Sequence, residues 1–151
     1  MPRTLTNALL LSLLLAAFSV HARKEQAVTQ SAYDVPTTAD RLVTAVEEKG
    51  LKVFSRIDHA AGAASAGMEL APTVLVLFGN PAIGTKLMHC GHGVAIDLPF
   101  KALIWEGQDG KTRLAYTPPA VLAQRHDLDG CDPVVAKVSG VLAALARAAT
   151  E

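Results

Sequence analysis

The chain reads as an α+β two-layer sandwich, a largely antiparallel sheet with its main helices on one face. Three observations carry that reading. Ala39, Leu42, Val43 and Val46 recur at i, i+3, i+4, i+7, the mark of one buried helical face. Residues between 52 and 117 alternate or run apolar in short segments of strand length. Near the end, Val134, Val135, Val138, Val141, Leu142 and Leu145 form an apolar stripe over three turns.

The elements follow in order. Residues 1–22 read as a signal peptide: Arg3 is a short positive n-region, Ala8–Phe18 is an apolar stretch and Val20-His21-Ala22 is a cleavage site. That stretch falls short of the roughly 20 apolar residues a spanning helix needs, so no stable membrane insertion is expected after cleavage. Residues 23–31 lack periodicity and read as a flexible lead-in to a single domain over 32–151. Ala32 to Val35 is a short strand candidate ahead of Pro36. Thr37 or Thr38 can cap a helix over 38–49, which Gly50 ends.

Lys52 to Ile57 alternates as a half-buried strand, and Asp58 can cap an Ala-rich helix from His59 to Met68. Val74 to Phe78 is continuously apolar, which suggests a strand covered on both faces. Asn80-Pro81 is a strong helix start. Val94, Ile96 and Leu98 alternate as a strand before Pro99, and residues 101–117 read as a hairpin turning at Asp109-Gly110. Pro118-Pro119 opens a short helix, and Asp132-Pro133 opens the last one, over 133–147.

Four segments closely resemble one small bacterial family. They are Phe54 to Ala63 (Phe-Ser-Arg-Ile-Asp-His-Ala-Ala-Gly-Ala), Leu77 to Pro81 (Leu-Phe-Gly-Asn-Pro), Ile96 to Lys101 (Ile-Asp-Leu-Pro-Phe-Lys) and Leu103 to Glu106 (Leu-Ile-Trp-Glu). The family is domain of unknown function 302, which has no settled biochemical activity. The resemblance covers about residues 32–147 and implies a β-α-β4-α plan like that of TATA-binding-protein-like folds.

Charge excludes some partners. The 14 basic and 14 acidic residues of the full chain balance, and loss of Arg3 with the signal lowers the basic count to 13. With no Lys/Arg run there is no electrostatic footprint for nucleic acid.

Three groups of residues could carry chemistry. His89, Cys90 and His92 have thiolate and imidazole groups that suit zinc or copper, with His59 or His126 arriving from elsewhere, although only one paired-ligand motif is present. The resemblance does not carry these ligands. Asp58 and His59 lie inside a matching segment; a carboxylate beside an imidazole can support proton transfer, but adjacent residues at a helix start do not face one another, which favours Asp58 as a cap. Asp97 and Lys101 also lie in a matching segment, either as a ligand-facing rim or as a turn with a surface lysine. No Gly-x-Ser-x-Gly elbow and no Walker or Rossmann glycine pattern occurs, so no catalytic residue and no cofactor is assigned.

The favoured function is an exported, periplasmic or secreted domain that binds a small ligand or a protein, with a second copy of the chain open as a partner. The alternatives are a metal or thiol site at His89, Cys90 and His92, and an enzyme using Asp58 and His59 with Asp97 and Lys101. Cys90 and Cys131 are expected to form a disulfide, because the mature chain has two cysteines and an export signal. An oxidised Cys90 cannot donate a thiolate to a metal.

Overall fold

The computed structural model describes residues 25–151, so the expected signal segment lies outside the described residues. The elements are β1 (Ala27–Gln30), α1 (Val35–Glu48), β2 (Lys52–Asp58), α2 (His59–Ser65), β3 (Thr73–Gly79), α3 (Pro81–Cys90), a 3-10 helix (His92–Asp97), β4 (Phe100–Glu106), β5 (Thr112–Tyr116), α4 (Pro119–Arg125) and α5 (Asp132–Thr150). The five strands form one sheet in the order β1-β5-β4-β3-β2, every neighbouring pair antiparallel. This is the expected α+β class, with the strand, helix, four strands, helix plan and small extra helices.

The helices sit where one face of each strand is apolar. Val74, Val76 and Phe78 of β3, Phe100, Ala102 and Ile104 of β4 and Leu114 of β5 are buried together with Val35, Ala39, Leu42 and Val46 of α1. Helix α1 packs over β2, β3 and β4, while α5 packs along α1 and reaches β1. By length and composition α5 is apolar enough to cross a membrane. Here it is the core helix of the sandwich, with Val135, Val138, Leu142, Leu145 and Ala149 buried.

Four local expectations need correction. Residues 27–30 are not a lead-in: they pair with residues 113–116 as an edge strand whose alternate side chains face solvent. A strand that needs only one apolar face, and whose partner lies more than 80 positions away, leaves little periodic signal. Residues 32–35 are not a strand. Ser31 Oγ accepts from the Tyr33 N–H, Asp34 Oδ1 accepts from the Thr37 N–H at 2.8 Å, and the helix begins at Val35. Pro36 thus falls in the first turn, where its missing N–H costs nothing.

Residues 94–98 form no strand either. The Val94 N–H donates to Gly91 O and the Leu98 N–H to Ala95 O, the three-residue spacing of a 3-10 turn, which leaves Ile96 83% exposed. Three alternating apolar positions cannot separate the two conformations. The second face of β3 is also less covered than its apolar run suggests. Leu75 and Leu77 are half-buried, as is Leu103 beside them on β4, because the two main helices both lie on the opposite face.

Candidate functional site

Two structural neighbourhoods hold the residues of interest. The first is the corner where α3, the 3-10 helix and α4 meet. Cys90 ends α3 and Cys131 precedes α5, and their sulfurs lie at disulfide distance with the Cα atoms 6.2 Å apart. Asp97 lies at the end of the 3-10 helix. Its carboxylate accepts from His126 Nε2 at 2.6 Å and from Arg125 Nη1 at 3.1 and 3.2 Å. Arg125 also meets Glu25 at 3.5 Å. Burial works against ionisation of Asp97, but the hydrogen bonds from His126 and Arg125 and the guanidinium charge outweigh it and hold the carboxyl below the usual range. Lys101 Nζ donates to the backbone oxygens of Asp97 and Pro99 at 2.8 and 3.1 Å, so it closes the turn into β4.

The four residues of the enzyme alternative do not form one site. Asp58 pairs with Val74, Val74 pairs with Ile104, and Lys101 lies three residues from Ile104. Two strand spacings and three residue rises put Asp58 and Lys101 roughly 14 Å apart. Asp58 Oδ1 accepts from the Ala61 N–H at 2.9 Å and caps α2, and His59 is exposed. The metal arrangement is not assembled either. Cys90 faces Cys131, His89 and His92 are exposed, and among the described residues no three His, Cys, Asp or Glu side chains gather. His126 is held by Asp97 instead.

The second neighbourhood is the end of the sheet where β3 runs into α3. Asn80 Oδ1 accepts from the Ala82 and Ile83 N–H groups at 2.9 and 3.4 Å, so the helix starts within one residue of the strand. Cavities open on both sides of this junction, and Gly79, Asn80 and Phe100 line both. The outer one, about 360 Å³, adds Phe54, Gly84, Met88, Leu98 and Pro99. The inner one, about 340 Å³, lies beneath the helices and adds Lys49, Leu51, Ile83, Lys137, Val141 and Leu142. At Gly79 a Cβ would rest against the Phe54 and Phe100 rings at 3.8 and 3.9 Å, ordinary van der Waals contact.

Residue-by-residue reading of the sequence missed this place. Gly79-Asn80-Pro81, with Gly84 and Thr85, opens a helix N-terminus as a phosphate loop would, but without a Walker or Rossmann glycine pattern it reads as a capped helix start, and Lys49 and Lys137 stand in no motif. One signal was present: three of the four segments that carry the family resemblance contribute to the outer cavity, through Phe54, through Gly79 to Pro81, and through Leu98 to Phe100.

Comparison with known proteins is consistent with this fold. The family model described as "Domain of unknown function DUF302" matches residues 27–145. A crystal structure of an uncharacterized conserved protein DUF302 from Bacillus stearothermophilus superposes with a TM-score of 0.75, covering 83% of this chain and 98% of that one at 17% identity, a likeness of fold alone. Over 99 residues the chain is 46% identical to the fluoride-specific ion channel FluC 1 of Brucella suis biovar 1, a match that spans 66% of this chain and 39% of that protein. FluC 2 of Brucella melitensis biotype 1 matches at the same identity, over 37% of its length. The chain thus spans about two fifths of the curated relatives it matches.

Proposed function

We propose, for a chain that belongs to the DUF302 family, an exported, non-enzymatic domain that binds a small apolar molecule in the outer cavity at the β3–α3 junction. One observation carries this reading: three segments that resemble the family, separated by up to about 50 positions in the chain, converge on that cavity. Its volume of about 360 Å³ falls within the roughly 300–1,000 Å³ of small-molecule sites. Its walls are apolar apart from Asn80 and Thr85, which suits binding by burial with a few orienting polar groups. Export is supported by the two cysteines at disulfide distance and by the signal-like residues 1–22.

The test uses N-phenyl-1-naphthylamine, an uncharged probe that brightens in apolar surroundings. Saturable binding to the wild-type chain is expected, with loss in Gly84→Leu, whose side chain would grow toward Leu98, already 3.6 Å from a Cβ at that position. No saturable binding, or equal binding by the variant, would reject the site.

The curated relatives favour a second reading, an accessory domain serving a fluoride channel. Proteins bearing that name contain a stretch 46% identical to this chain within a longer polypeptide. A strain lacking the gene should then lose fluoride tolerance, and restoring the gene should return it; unchanged tolerance would dismiss the reading.

A further inference from the structure

We infer that the inner cavity is a separate site for an anionic amphiphile, an aliphatic monocarboxylate whose chain lies among the helices and whose head meets Lys49 and Lys137. The cavity holds about 340 Å³ between the segment that follows α1, helix α5 and the β3–α3 junction. Leu51, Ile83, Val138, Val141 and Leu142 form apolar walls, and Phe78 and Phe100 close the sheet side. Such walls take a hydrocarbon chain by simple burial.

The polar groups in the lining all favour an anion. Lys49 follows the last turn of α1 and Lys137 lies on α5. Both are exposed, and neither ammonium group has a hydrogen bond or ion pair among the described residues. Asn80 uses its Oδ1 to cap α3, which leaves its amide NH₂ as the donor end. No carboxylate lines the cavity. Glu48, the nearest acid in sequence to Lys49, lines a different groove with Asp40 and Arg41. The negative end of α1 is also blunted, because the Lys49, Gly50 and Leu51 N–H groups take up the oxygens of Ala45, Glu47 and Val46. The two lysine charges favour an anionic head, and the apolar walls favour a hydrocarbon chain behind it over a polar polyanion.

Decanoate and its uncharged analogue decanol test this by calorimetric titration of the full mature chain. In Gly84→Leu protein, whose outer cavity is filled, decanoate should bind at least about tenfold more tightly than decanol, a gap of one 1.4 kcal/mol step that shrinks as salt rises. Replacing both exposed lysines (K49Q with K137Q) should bring decanoate down to the level of decanol and leave decanol unchanged. Gly84→Leu, which fills the outer cavity, should leave decanoate binding intact, whereas Val141→Phe should remove it. Should Val141→Phe fail to fold, the lysine pair decides alone. Equal binding of the two ligands by Gly84→Leu protein, undiminished decanoate binding by the lysine variant, or no decanoate binding at all would overturn the site. Loss of decanoate in Gly84→Leu would assign that ligand to the outer cavity and equally reject the inner one.

Discussion

At Gly91 there is no room for a side chain. A Cβ there would lie 2.6 Å from Leu128 Cδ2 and 2.9 Å from His126 O, because the end of α3 passes directly beneath the segment leading to α5. Gly91→Ala must push these segments apart and should cost about 1–3 kcal/mol, as overpacking does; urea unfolding measures it, and a change within error would show that the two segments yield freely. Asp97, a few residues on, links stability to pH. Its folded carboxyl binds protons less readily than an unfolded one, so its contribution is complete above the unfolded value of about 3.8 and is lost as pH falls through the lower folded value. Asp97→Asn should therefore weaken the fold at about pH 6 and flatten the loss of stability as pH falls below about 4. Urea midpoints across that range check this, and an acid limb parallel to wild type would show that the pairing with His126 and Arg125 carries no linkage.

Among the elements, α5 bears most on the fold. It lies in the layer opposite the sheet, borders the inner cavity through Lys137, Val138, Val141 and Leu142, and presents Leu145 to the core away from that cavity. Leu145 is fully buried, so Leu145→Ala removes packed atoms without the relief of a neighbouring void and should cost about 2–5 kcal/mol. A loss below about 1 kcal/mol in chemical denaturation would place that turn outside the core. The β4–β5 hairpin is held differently, by geometry at its turn. Arg113 grips Asp109 with two bonds of 2.7 and 2.8 Å, and this grip is the main reason the Asp109 carboxyl titrates below the ordinary range. Gly107 leaves space for that guanidinium, since a Cβ there would overlap Arg113 Nη1. The pair is exposed, so its role is to set the turn more than to stabilise the fold.

For the whole molecule, the Cys90–Cys131 pair and export belong together. A bond there closes a span of 41 residues that contains the 3-10 helix, both strands of the hairpin and α4, and ties the end of α3 to the start of α5. The chain-entropy model assigns such a loop about 4 kcal/mol. Thiol counting on unfolded, non-reduced protein should find none free, and two free thiols would refute the bond. Cleavage of the expected signal would leave Arg23 as the first residue, which the intact mass of the exported protein reports; a retained Met1 would refute cleavage after Ala22.

Local pattern alone determined a great deal here. The stripes on α1 and α5, the Asn80-Pro81 start and the β4–β5 hairpin are readable because a helix or strand buries one face at its own period, and that period is written in consecutive residues. Cys90 and Cys131 could be paired because two cysteines leave a single choice. Segments without a period carry no such signal: β1 is short and half-exposed, and the three apolar positions of 94–98 suit a strand or a 3-10 turn equally. The candidate sites were decided by tertiary structure. Asp97 meets His126 across 29 positions, and Lys49 comes to share a cavity with Lys137 on another helix. Neither meeting is encoded in a local spacing, because each follows from the order of strands in the sheet and from the packing of α1 against α5 on one of its faces.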